Sequence, residues 1–326
     1  MVFYWGRRWD LPLAVEIIIE ADQAGQRLDR LVKTLAPQTG FGALQKWFRT
    51  GQVRLNGKRV KGAERVAVGD LLRLPPQAAG DPIVSRDAAD AQTSADPRLV
   101  ESLRSVILLD HGPVLAFDKP AGLAVQGGSR TTRHVDGALP AFAGEGGEIP
   151  RLVHRLDRDT SGVLVTGRGR AAAAALTRAF AAREARKTYF ALVAGWPEGL
   201  EAGVIDAPLR KGRVGGEERV FVDSEGHADA QTAETLFHVE RRGADGRVLL
   251  SLEPRTGRTH QLRVHLAHAG GAILGDGKYG QSLSSNWRAP RRLYLHAARL
   301  EIEHPDGGLL KLDAPLPSAF SEALDA

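Results

Sequence analysis

The chain of 326 residues contains no cysteine. Disulfides, thiolate nucleophiles and cysteine-ligated zinc are thereby excluded together. No apolar run approaches the ~18 residues needed to cross a bilayer, so no membrane span is expected. The opening stretch Met1-Val2-Phe3-Tyr4-Trp5-Gly6-Arg7-Arg8 puts aromatic residues ahead of positive charges. It lacks the basic-then-apolar order of a secretion signal. A Gly-rich signature for cradling phosphates is missing as well. These absences lead us to expect a soluble, cytoplasmic protein.

What is present is ordinary in bulk and uneven in detail. Hydrophobic residues at 43% and charged residues at 25% are globular values that allow a sizeable core, and the length suggests two domains. The formal charge of +5 is modest. Between Ala24 and Pro75, however, eleven Lys and Arg stand against three acids, leaving the remainder of the chain at −3. Such a surplus is the footprint of a protein that meets a polyanion, with nucleic acid the first candidate. A merely solvated basic face is the plainer alternative.

Periodicity divides the chain. Leu28, Leu31, Val32 and Leu35 fall on one face of a short helix ending before Pro37, and Leu44, Trp47 and Phe48 suggest a second. Val53 and Leu55, then Asn56-Gly57, then Val60 predict a hairpin. Residues 20–75 thus form one compact module of two helices and a small sheet. Residues 76–104, aperiodic and polar over Pro76 to Ser94, read as a linker, and 105–326 as a second domain. There, strand-like runs at Val163–Val165, Tyr189–Val193 and Val248–Leu252 alternate with helix-like stretches at Ala171–Ala182 and Thr259–His268. That order favours an α+β fold with a mixed, largely antiparallel sheet.

One segment stands out chemically: His154-Arg155-Leu156-Asp157-Arg158-Asp159-Thr160-Ser161-Gly162, ahead of an apolar strand. Catalytic groups are usually carried on loops held by rigid scaffolds. A carboxylate among guanidinium groups is favoured in its charged form, which suits a nucleophile or an electrostatic stabiliser. An Arg/Asp-rich turn that satisfies its own backbone is the alternative.

This segment resembles the catalytic motif of the RluA-type RNA pseudouridine synthases. The resemblance makes Asp157 the nucleophile, and Arg155 the residue that holds RNA open where the target uridine has left its stack. Asp159, Thr160 and Ser161 would shape the turn. Three further strings are similar to the same family, in its order. Asp118-Lys119-Pro120-Ala121-Gly122-Leu123-Ala124-Val125 resembles the motif opening the catalytic domain, with Asp118 where the family usually has Asn and Gln126 where it often has His. Lys187-Thr188-Tyr189-Phe190-Ala191-Leu192-Val193 resembles the strand whose tyrosine packs on the flipped base, which implies that role for Tyr189. Thr256-Gly257-Arg258-Thr259-His260-Gln261-Leu262-Arg263-Val264-His265 resembles the third motif, with Gly275-Asp276 and Lys278-Tyr279-Gly280 behind it. By that resemblance Arg258 pairs with the catalytic aspartate, and Arg263 faces phosphate or caps structure. The N-terminal module, from Arg27-Leu28-Asp29 to Gly69-Asp70, resembles an S4 RNA-binding domain, which implies RNA contacts for Arg30, Lys46, Arg49 and Lys58.

The implied reaction isomerises uridine to pseudouridine in RNA, and finer resemblance at Gln126-Gly127-Gly128-Ser129 and at Ala207–Val220 points to the branch acting on 23S (large-subunit) ribosomal RNA. Neither cofactor nor metal is needed. His260, His265 and His268 are closely spaced, but no suggestive carboxylate or further histidine accompanies them, and a structural or RNA-facing role is the expectation. RNA is the expected partner, and a monomer the expected state. Two rivals remain open: a non-catalytic RNA-binding factor, which should have lost Asp157, Tyr189 or Arg258, and a glycosidase-like hydrolase, which should show a second carboxylate. Asp157 could attack at uracil C6 or at ribose C1′.

Overall fold

The computed structural model describes residues 15–20, 23–36, 39–78, 96–127, 131, 133–243, 245–280 and 292–325. The chain divides into two compact units, Met1–Gln92 and Thr93–Ala326.

In the first unit the elements are β1 (Val15–Ile18), α1 (Leu28–Leu35), α2 (Phe41–Thr50), β2 (Arg54–Leu55), β3 (Lys58–Arg59) and β4 (Leu71–Leu74). Leu28, Leu31 and Val32 turn one face of α1 inward, and Leu44, Trp47 and Phe48 do the same for α2. They close over a four-stranded sheet ordered β1-β4-β2-β3. The turn between β2 and β3 has Asn56 at φ 50° and Gly57 at φ 76°, the two left-handed positions that a type I′ hairpin demands. Strand β1, which no periodic pattern announces, pairs antiparallel with β4. Arg30, Lys46, Arg49 and Lys58 are all exposed.

The second unit begins with α3 (Pro97–Arg104), β5 (Ile107–His111), β6 (Val114–Lys119), α4 (Val135–Ala138), β7 (Pro150–Leu152), β8 (Ser161–Arg168) and α5 (Gly169–Ala181). It continues with β9 (Arg186–Ala194), β10 (Ala202–Asp206), β11 (Leu209–Val214), β12 (Glu217–Val222), β13 (Glu234–Arg242), β14 (Arg247–Pro254) and α6 (Gln261–His268). β15 (Ala272–Ile273), β16 (Leu295–Glu303), β17 (Leu309–Asp313) and α7 (Ser318–Asp325) complete it. Eight strands form the path β10-β13-β14-β9-β16-β8-β6-β5, with β15, β17 and β7 paired alongside. Only the contact between β8 and β16 is parallel among the described ladders. The unit is therefore α+β with a mixed sheet, as the patterning predicts.

The segment read as linker is not uniform. Residues 79–95 lie outside the described residues. Pro97–Arg104, however, is a helix, capped by Asp96 and burying Leu99 and Leu103 in the core of the second unit. Leu99 and Leu103 stand at i and i+4, a helical spacing only one turn long.

Where β8 begins, Ser161 and Gly162 pair with His296 and Ala297 of β16. Gly162 sits at φ +109°, and a Cβ there would lie 2.1 Å from the Ala297 carbonyl oxygen. Only glycine allows the chain to leave the polar loop at 154–160 and join the sheet in this register.

Candidate active site

A cavity of about 680 Å³ opens above the centre of the large sheet, and Arg155, Asp157, Tyr189, Arg258, His260 and Arg263 are among its walls. Residues more than a hundred positions apart are brought together because β8, β16 and β9 are neighbours in the sheet. The loop carrying Asp157 precedes β8, Tyr189 lies on β9, and α6 with its preceding loop supplies the rest.

The Asp157 loop is pinned from below. Leu156 is buried in the apolar core. The Thr160 N–H bonds the Asp157 carbonyl at 3.2 Å, closing the turn. The ammonium of Lys119, fully buried at the end of β6, donates to the carbonyls of Pro120, Leu123 and Arg158 at 2.9, 2.9 and 3.0 Å. Three carbonyls satisfy its three protons, and they tie the turn at 120–123 to the loop. Burial lowers the Lys119 pKa to about 8, against the opposing pull of Asp159 and Asp157. At the other end of the loop, His154 accepts the Val165 N–H at 3.0 Å and stacks on Phe180. Burial brings its pKa down to about 3, with the Lys187 charge acting in the same direction.

The charged partner of Asp157 is Arg263. Its Nη1 lies 3.5 Å from Asp157 Oδ2, while Nε and Nη2 make a bidentate pair with Asp276, both bonds at 2.7 Å. Asp276 also accepts the backbone N–H groups of Lys278 and Tyr279. Burial works against both charges, but the bidentate bond outweighs it: the Arg263 pKa is raised and that of Asp276 lowered. The result is a guanidinium locked in one plane with a free corner aimed at Asp157.

This corrects the pairing expected for Arg258. That residue lines the cavity, but its Nε donates to the Thr232 carbonyl at 3.0 Å, and it makes no ion pair among the described residues. The physical reason is its place in the chain. Arg258 stands in the loop before α6, whose shape is set by Gln261: this buried amide accepts from Thr256 and from the Arg258 N–H and donates to Glu234 and Thr235. Arg263 stands on α6 itself, at a position that is buried like its neighbours from Gln261 to Leu266. A buried arginine requires a carboxylate, and Gly275-Asp276 was the signal in the sequence that could have found it.

His260 is the second group facing Asp157, with Nε2 3.8 Å from Oδ2. It occupies the left-handed region at φ 54°, a strained backbone for a non-glycine residue. Its Nδ1 lies 2.8 Å from the Tyr279 hydroxyl, which also accepts the Val220 N–H at 3.2 Å. Accepting from Val220 leaves the hydroxyl its proton and one lone pair for Nδ1. Where it gives the proton, neutral His260 carries its own on Nε2, the nitrogen that faces Asp157. Burial lowers its pKa, with Asp157 pulling the other way.

Tyr189 is half-buried and its ring lines the same cavity. Burial, reinforced by the Asp157 charge, raises its pKa well above the ordinary phenol value. Arg155 is exposed at the rim. His265 is fully buried and bonds Thr235 and the Ala207 carbonyl, a structural pin away from the cavity.

The site thus brings a carboxylate backed by a locked guanidinium and a protonated tyrosine into one cavity. Comparisons with known proteins supply the family. Residues 113–268 match the family model described as RNA pseudouridylate synthase. The chain is 36% identical over 325 residues to ribosomal large subunit pseudouridine synthase C of Salmonella typhimurium, covering 97% of each. It is similarly 36% identical to the protein of that name from Escherichia coli K12, again over 97% of each. Among solved structures it resembles human RNA pseudouridylate synthase domain containing 4, at 29% identity and a TM-score of 0.57, covering 70% of this chain and 94% of that one. It belongs to the RNA pseudouridylate synthase family, and its activity is that of an isomerase.

Proposed function

We propose that this enzyme converts uridine to pseudouridine in large-subunit ribosomal RNA, with Asp157 as the nucleophile. The reaction breaks the bond from ribose C1′ to N1 and forms one from C1′ to C5, while the C5 proton is lost and N1 gains one. No redox change or group donor is involved. Flipping the uridine from its stack costs a few kcal/mol, offset by Arg155 at the rim and by stacking on Tyr189. Arg263, rather than Arg258, holds the charge and direction of the Asp157 carboxylate through its attack at C6 or at C1′. The observation carrying this reading is the linked set Asp157–Arg263–Asp276, of which Asp157 and Arg263 line one cavity with Tyr189. The large-subunit substrate is supported by the relatives that cover nearly the whole chain.

Residues 20–75 act, in this reading, as an S4-type RNA-binding domain, with 105–326 catalytic and the protein working as a cytoplasmic monomer. In support, Arg30, Lys46, Arg49 and Lys58 are exposed, and Lys46 and Arg49 share a face of α2. Among the described residues no helix is long and apolar enough to cross a membrane.

The experiment is to map pseudouridines in ribosomal RNA from cells with and without the protein, then to restore it as wild type or as Asp157→Asn. At least one large-subunit position should disappear on deletion and return only with wild type, since the amide is nearly isosteric but not a nucleophile. An unchanged map overturns the substrate, and rescue by Asp157→Asn overturns the nucleophile. Lys46→Ser with Arg49→Ser should lower the salt slope of RNA binding by about one for each phosphate no longer neutralised. An unchanged slope removes α2 from the RNA interface.

A further inference from the structure

A second groove of about 280 Å³ runs beside the cavity, between the turn that joins α5 to β9 and the loop that joins β14 to α6. Arg183, Arg186, Lys187, Arg255 and Arg258 line it, against one acid, Glu253. It shares Lys187 and the segment from Thr256 to Arg258 with the main cavity, so the two are continuous.

Lys187 at the junction is the telling residue. It is half-buried, yet it makes no hydrogen bond or ion pair among the described residues. A desolvated ammonium without a partner is costly, and an anion in the groove would supply the partner. Arg183, just after α5, has a left-handed backbone with φ 62° and an exposed side chain, a conformation strained for a non-glycine residue. Arg186 is only loosely engaged, 3.9 Å from Glu253. Arg255 is exposed. Lys187 and Tyr189 lie two residues apart on β9 and so share a face, about 6.6 Å apart along the strand. That is comparable to the reach from a base to the phosphate of its own nucleotide.

We propose that this groove is the track for the RNA strand flanking the target uridine, with Lys187 meeting a phosphodiester at the junction and Arg183 and Arg255 meeting phosphates further out. The assignment rests on the reading that Tyr189 receives the flipped base. It also gives Arg258, which does not pair with Asp157, a place in the substrate path.

The test uses the full chain and a labelled ribosomal RNA fragment on which wild type forms pseudouridine. Binding is measured over a range of KCl concentrations, alongside single-turnover rates. Lys187→Met should flatten the slope of log K against log salt by about 0.7 to 1, the value for one phosphate no longer neutralised. Arg183→Ser with Arg255→Ser should flatten it by about twice that. The defects should fall in KM rather than kcat, and Lys187→Arg should restore the slope. Slopes equal to wild type in both variants overturn the proposal, as does a Lys187→Met defect confined to kcat, which would place that lysine in the chemistry. If Lys187→Met does not fold, the exposed Arg183 and Arg255 pair decides alone. A wild-type enzyme that forms no pseudouridine in any large-subunit fragment would sink the substrate assignment instead, a result distinguishable from unchanged slopes.

Discussion

Arg263 gives Asp276 two hydrogen bonds of 2.7 Å and keeps its remaining nitrogen for Asp157, at 3.5 Å. A lysine could carry the charge but not the fork. Arg263→Lys should therefore lower the single-turnover rate by about 100-fold, the scale of losing one preorganised electrostatic group. Arg258→Ala should lower it by less than about tenfold and act mainly on RNA affinity. Rates at saturating RNA check this, and a larger drop for Arg258→Ala would reverse the assignment.

The Tyr279 hydroxyl faces Nδ1 of His260, the ring nitrogen away from Asp157. Tyr279→Phe removes the hydroxyl 2.8 Å from Nδ1 and should free the His260 proton to move to that nitrogen. A net hydrogen bond is worth about 1 kcal/mol, and turnover should drop about fivefold with RNA affinity unchanged. Nitrogen-15 NMR of the imidazole would report the tautomer directly. A wild-type tautomer ratio in Tyr279→Phe would show that Tyr279 does not control it.

Lys119→Met should destabilise the protein by several kcal/mol, because three buried carbonyls lose their donor at about 1–3 kcal/mol each. The pH dependence is specific. The folded pKa of about 8 lies below the ordinary lysine value of 10.5, so between those values the unfolded chain binds more protons. This residue's contribution to stability therefore rises with pH across that window. Urea unfolding of wild type and variant from pH 7 to 11 should show the rise as a difference between them, and parallel curves would refute it.

His154 acts at the acid end. Its folded pKa of about 3 lies below the ordinary 6.5. The stability it contributes as a neutral ring is complete above pH 6.5 and is lost as pH falls toward 3. His154→Gln keeps an acceptor for the Val165 N–H and cannot titrate, so its stability should fall less steeply between pH 6.5 and 4. Identical slopes in denaturant titrations would exclude His154 as the acid-sensitive group.

Much of this protein is legible locally. Leu28, Leu31 and Val32 announce α1, Asn56-Gly57 announces its hairpin, and the strings around Asp157, Tyr189 and Arg258 mark the segments that meet in the cavity. These features depend on neighbours three, four or two residues away, so chain order contains them. The insertion of β16 between β8 and β9 is of another kind, since it joins Ser161 to His296 and Phe190 to the same residue. So is β1, which pairs with β4, while α3 offers the sequence only one i, i+4 leucine pair.

The same division runs through the site. Sequence alone determined that Asp157 would stand among arginines and that an arginine-bearing motif would follow it in the chain. Only tertiary structure decided which arginine. Arg258 and Arg263 are five residues apart and chemically identical, but one lies in a loop shaped by Gln261 and the other on a buried helix facing Asp276. A guanidinium goes where its desolvation is repaid by two well-placed oxygens, and the position of those oxygens is a property of the folded sheet.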